Sequence, residues 1–110
     1  MLATWTADFP TAGSFLAPLV DSRGVKLVGN TNYARLTVPA LDALVDTARK
    51  APDAAAAATA WADLATAALE TGAYVPLAET RVQLIAGQRL RNGLVMQPYS
   101  GYDLATAGVR

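Results

Sequence analysis

Three observations predict an α+β fold. Two segments with apolar residues at helical spacing, 39–50 and 53–71, follow one another directly; short runs rich in apolar, β-branched and aromatic residues flank them; and turn residues punctuate those runs. A chain of 110 residues has room for one modest core, so 1–110 is read as a single domain in which the helical pair packs with short strands.

Taken in order, residues 2–6 read as a short strand, and Asp8 to Gly13, with Pro10, must leave it and turn. Residues 14–20 group Phe15, Leu16, Leu19 and Val20, enough for one helical turn whose extension Pro18 limits. A loop at 21–24, a short strand at 25–28 and a turn at 29–32 follow. Pro39 suits a first helical position, and Leu41, Leu44, Val45 and Ala48 then form one apolar face. Pro52 closes this helix and Asp53 caps the next, whose face carries Ala57, Ala60, Trp61, Leu64 and Ala68, with Leu69 at its margin, before Gly72 stops it. The alanine run that begins at Ala54 favours helix strongly. Strands are expected at 73–77 and 81–85, a weaker one at 90–96 broken by Asn92 and Gly93, a turn-rich stretch at 98–103, and a last strand within 104–109.

Composition removes several function classes. Charged residues make up 16% of the chain, below the roughly 25% usual for soluble domains. Nine basic residues balance nine acidic ones without clustering, so no phosphate-binding surface is expected and no nucleic-acid partner. Arg49-Lys50 and Arg89 with Arg91 read as decoration of a helix end and a strand face. Histidine and cysteine are absent, which rules out imidazole-assisted nucleophiles, thiolate metal sites and disulfides within these residues. No glycine-rich phosphate loop occurs, and neither a membrane-length apolar run nor an export signal is visible. Asp42 and Asp46, four apart on a helix, read as a solvated face of like charges rather than a catalytic pair. No enzyme activity, metal or cofactor is expected.

The most informative cluster is Trp5 with Asp8. An acid that follows an apolar strand and precedes a Phe-Pro turn stands where ligand contacts are common. The same residues also fit a plainer arrangement, with Trp5 in the core and Asp8 capping a turn through its own backbone.

Trp5-Thr6-Ala7-Asp8-Phe9-Pro10, continued by Ser14-Phe15-Leu16, is similar to the W-x-A-D-[YF]-x-x-P-x-x-F-L stretch of the oligopeptide/dipeptide-type (family 5) substrate-binding proteins of ABC transporters. In the same order, Asn30-Thr31-Asn32-Tyr33 resembles the family's N-x-x-x-Y element. Pro39-Ala40-Leu41-Asp42-Ala43-Leu44 resembles P-x-[VLF]-D-x-L, the Trp61 helix resembles the long helix that follows, and Tyr102-Asp103-Leu104 resembles the last strand. Two departures stand out: Val38 occupies a position where the family often has a capping Asn or Asp, and Pro10 follows Phe9 at once.

The resemblance implies the C-terminal part of a longer, two-lobed protein that closes around a peptide or other small solute outside the cytoplasm. Such a protein delivers its ligand to an ABC importer permease. It also implies that Asp8 pairs with a ligand's α-ammonium, that Trp5 walls the pocket, and that Asn32 and Tyr33 are further ligand contacts. A carboxylate at the edge of a low-dielectric pocket holds an amine more strongly than bulk water permits. The alternative is a solute-binding-like module reused for protein–protein interaction, its pocket lost, dimerising through exposed sheet edges.

Overall fold

The computed structural model describes residues 4–79, 81, 83–96 and 101–110. It is α+β: helices α1 (Ala12–Val20), α2 (Pro39–Arg49) and α3 (Ala54–Glu70), a 3-10 turn at Ser22–Gly24, and strands β1 (Leu90–Arg91), β2 (Val95–Met96), β3 (Gly101–Tyr102) and β4 (Gly108–Val109).

The two helices expected from periodicity form within a residue or two of their predicted bounds. Pro39 opens α2, and Val38 before it makes no side-chain cap. Asp42 lies in the first turn, where the helix dipole favours a negative charge. Asp53 caps α3 by accepting a hydrogen bond from the Ala56 N–H at 2.8 Å. Gly72, at φ +70°, takes the left-handed position that ends it.

The third helix is longer than the single turn the sequence suggests, because Pro18 lies inside α1 rather than ending it. The i+4 ladder of α1 ends with the C-cap residue Asp21, and the carbonyls after Ala17 find partners at a distance. Asp21 N–H donates to Ala17 O, Thr31 Oγ1 to Pro18 O at 2.9 Å, and the Tyr74 hydroxyl to Leu19 O at 2.7 Å. Side chains from 31 and 74 thus fasten the end of α1 to the rest of the helical layer.

The core lies where the three helices meet: Ala17 and Val20 from α1, Leu41 and Val45 from α2, Leu64 and Ala68 from α3, with Val45 and Leu64 at 0% exposure. Trp61 and Tyr74 pack at its edge. The close approach of α1 to α3 depends on Gly13, where a Cβ would stand 2.6 Å from the Trp61 ring.

Beyond residue 74 the organisation changes. β1 pairs antiparallel with β4 (Leu90 with Val109, Arg91 with Gly108), and β2 with β3 (Val95 with Tyr102, Met96 with Gly101). These are the outer and inner ladders of one ribbon. Residues 92–94 face the longer stretch 103–107 between them, so the register slips by two, and Asn92 takes φ +53° there. The broken strand at 90–96 and the final strand thus form as short pieces; part of the expected turn at 98–103 lies outside the described residues. Among the described residues, none of the core cluster comes from this ribbon, so there the helices do not pack with strands in the way the sequence suggests.

Four other strand expectations fail among the described residues; residues 2 and 3 of the first lie outside them. Residues 4–6 and 25–28 form no ladder, and Leu27 and Val28 are 94% and 87% exposed. Residues 73–77, and those described within 81–85, run without a ladder partner; Val82 lies outside the described residues. Strand propensity measures fit to a neighbouring strand and face, and without that neighbour it has nothing to act on.

The radius of gyration is 17.3 Å, against about 13 Å for a compact chain of this length. The accessible surface is 7997 Å², where a monomer of this mass exposes about 5,800 Å². Among the described residues, no helix is long and apolar enough to cross a membrane.

Candidate functional site: an open depression beside the first helix

An open depression of about 290 Å³ is lined by the loop before α1 (Asp8, Phe9), by α1 itself (Gly13, Ser14, Ala17, Pro18), and by Asp21, Gly24 and Arg49. Its volume is at the lower end of small-molecule sites.

Asp8 is exposed at this depression and makes no hydrogen bond among the described residues. It does not cap its own turn there, so the plainer reading of Asp8 finds no bond to support it. The loop that carries it is fixed from α1. The Ser14 hydroxyl, on a residue 4% exposed, reaches Phe9 O at 2.7 Å and Thr11 O at 3.0 Å. Phe9, 52% exposed, offers an apolar surface next to the carboxylate.

Asp21 and Arg49, which also line the depression, belong to a charge network. Asp21 accepts from Arg23 N–H at 3.0 Å, Arg23 Nε at 2.8 Å, Arg23 Nη2 at 3.1 Å and Arg49 Nη1 at 3.1 Å. Arg23 Nη2 also reaches Asp46 Oδ1 at 2.8 Å. Burial by itself pushes the Asp21 carboxyl up. The side-chain and backbone hydrogen bonds from Arg23, with the charges of Arg23 and Arg49, outweigh it and hold the group below its ordinary range. Hydrogen bonding from Arg23 lowers Asp46 as well. Asp42 goes elsewhere: it accepts from the Ser22 backbone N–H at 2.9 Å and from the Ser22 hydroxyl.

The two acids of α2 therefore serve as separate anchors for the segment that leaves α1, not as a bare face of like charges. Arg49, which reads in the sequence as surface decoration, bonds to Asp21 and lines the depression. The only signal for this network in the sequence is Asp21-Ser22-Arg23, whose spacing suits an aspartate turn closing on the Arg23 N–H. The reach of Arg49 to Asp21, 28 residues apart, has no sequence signal.

The other residues singled out by sequence lie apart from the lining. Trp5 is half-buried, and its indole N–H donates to Ser14 O at 3.1 Å. Asn32, at 0% exposure, spends its amide on the backbone: Oδ1 accepts from Leu36 N–H at 2.9 Å, while Nδ2 donates to Leu36 O at 3.0 Å and Asp21 O at 3.4 Å. It closes the 32–36 loop as a bridging backbone pair would. The Tyr33 N–H donates to Thr31 O at 2.9 Å, within the same turn. The structure brings Asp8 to the depression, with Trp5 bonded to its wall, and places Asn32 and Tyr33 in a separate loop.

No group of three or more potential metal ligands occurs among the described residues. Compared with protein-family models, with curated proteins and with solved structures, the chain gives no match in any of the three.

Proposed function

We propose that the chain is the ligand-binding C-terminal segment of an extracytoplasmic solute-binding protein, without catalytic activity, that presents a peptide or peptide-like solute to an ABC importer. The observation that carries this reading is Asp8, an exposed carboxylate without a hydrogen-bond partner among the described residues, beside Phe9 at a depression of small-molecule size. The residue similarities to the oligopeptide/dipeptide-type binders, in their family order, support it. A ligand amine would meet Asp8 while an apolar side chain covered Phe9. Because the depression is open, little of the ligand is desolvated and affinity for this chain by itself is weak, near the millimolar range at about −4 kcal/mol.

The test is a nuclear magnetic resonance titration with leucyl-leucine and its N-acetylated form. Free dipeptide shifts the amides around Asp8, the acetylated form shifts them less, and Asp8→Asn removes the difference while leaving the fold intact. Equal response to both peptides overturns the role of Asp8.

One observation favours a second reading, an interaction module. Val75, Leu77 and Ile85 are 72%, 75% and 89% exposed, along a stretch whose described residues form no ladder. That reading predicts a stable homodimer and no small-molecule ligand; a monomer by light scattering counts against it.

A further inference from the structure

Pro18 creates a gap inside α1. In a helix each carbonyl is met by the N–H four residues later, and for Ser14 that residue is Pro18, which has no N–H. Ser14 is buried, so water is a poor substitute. The missing donor comes from outside the helix: the Trp5 indole N–H lies 3.1 Å from Ser14 O.

Ser14 also faces the other way. Its hydroxyl reaches Phe9 O at 2.7 Å and Thr11 O at 3.0 Å, and the Thr11 N–H itself donates to Phe9 O at 2.7 Å. One buried serine is therefore held through its carbonyl by Trp5 and in turn holds the loop that follows Asp8. Trp5 is absent from the lining of the depression, while Ser14 and Pro18 are both part of it.

We propose that Trp5 is a positioning residue: it supplies to Ser14 the N–H that Pro18 withholds, and through Ser14 it fixes the loop that carries Asp8. Trp5 acts on the site from behind, and the helix accepts an internal proline because a side chain before it closes the gap. The consequence for binding rests on the proposed role of Asp8 as an amine-pairing carboxylate; the pairing of Trp5 with Pro18 does not.

A double-substitution cycle separates the two. Trp5→Phe keeps an aromatic ring but removes the N–H with the rest of the indole, a packing loss common to both backgrounds that the cycle cancels. In the native background it lowers the folded-to-unfolded ratio by about fivefold, the worth of a part-buried hydrogen bond and its orphaned acceptor. Pro18→Ala restores a helical N–H to Ser14 O, and in that background Trp5→Phe costs about twofold or less. Equal cost in both backgrounds overturns the pairing.

The second measurement is the preference for leucyl-leucine over its N-acetylated form, read from Asp8-loop amide shifts. Trp5→Phe reduces that preference about threefold in the native background, whereas in the Pro18→Ala background, measured against Pro18→Ala itself because Pro18 lines the depression, it leaves the preference unchanged. A preference unmoved by Trp5→Phe, alongside coupled stabilities, overturns the positioning role and leaves the role of Asp8 intact. No binding of either peptide by the native chain overturns the ligand reading and the positioning role together, and the stability cycle still decides the pairing.

Discussion

The three helices within 12–74 and the stretch 75–110 use their apolar side chains in opposite ways, while the loop residues Leu27 and Val28 are as exposed as the second stretch. The first stretch turns Val20, Leu41, Val45 and Leu64 inward to one core. The second leaves Val75, Leu77, Ile85, Leu104 and Val109 at 72% to 89% exposure. The difference comes from how each kind of element satisfies its backbone. A helix closes its own hydrogen bonds and needs only a packing face from its neighbours, and three adjacent amphipathic segments supply that to one another. A strand must borrow its hydrogen bonds from another strand, and after residue 74 the described residues offer only a two-stranded ribbon to share among several strand-like sequences. Stability is therefore expected to be concentrated before residue 75.

The largest expected effect tests that contrast directly. Leu64 is at 0% exposure, and Leu64→Ala removes a side chain from the centre of the three-helix contact. A loss of about 2–5 kcal/mol follows, read from chemical denaturation. Ile85→Ala, at a residue 89% exposed, changes stability by less than about 0.5 kcal/mol. A comparable loss from both substitutions would mean that the second stretch is covered in solution, which is the outcome the interaction-module reading predicts.

A mid-sized effect depends on pH. The folded Asp21 carboxyl lies below its ordinary value of 3.8, so the unfolded chain binds its proton more readily than the folded one. Asp21 thus contributes its stability in full above about pH 4, and loses it as the pH falls through the folded value. Acid unfolding followed by circular dichroism should show this as a steepening below that point, and Asp21→Asn should flatten it. Because Arg23 and Arg49 reach Asp21 from the 3-10 turn and from α2, the effect belongs to the helical stretch; an unchanged acid limb in Asp21→Asn would place acid sensitivity elsewhere.

The same contrast explains which parts of the molecule are legible in its sequence. Helices α2 and α3 are predictable because their signals are local: Pro39, Asp53 and Gly72 at the ends, and apolar spacing between them. Helix α1 outruns its sequence signal because an internal proline normally stops a helix, and its compensation lies nine residues before Ser14, in Trp5. The strand-like runs at 73–77 and 81–85 carry a sound propensity without a partner. In the site, Asp8 is visible as an acid between a strand-like run and a Phe-Pro turn, and its surroundings are not. Ser14, Asp21 and Arg49 come together only through tertiary contact, and Asn32, prominent in the sequence, is spent on holding its own loop.

The smallest expected effect comes from one substitution made in both regions. A Cβ at Gly13 would stand 2.6 Å from the Trp61 ring, a flat group wedged between α1 and α3. Gly13→Ala gains up to about 1 kcal/mol of helix propensity. Overpacking of this kind costs about 1–3 kcal/mol, so a net loss near 1 kcal/mol is expected. At Gly93 the nearest atom is Leu90 Cδ2 at 2.9 Å, the end of a flexible side chain in a region without a core, so Gly93→Ala is expected to change stability by less than about 0.5 kcal/mol. Thermal unfolding of the two variants, with Trp61 fluorescence as a local probe, compares them directly. Equal shifts would show that the ribbon is packed as tightly as the helices, and the division at residue 75 would have to be abandoned. Gly13 should be the costlier of the two because of what each new methyl group meets: a rigid ring between two helices at Gly13, and a side chain free to swing away at Gly93.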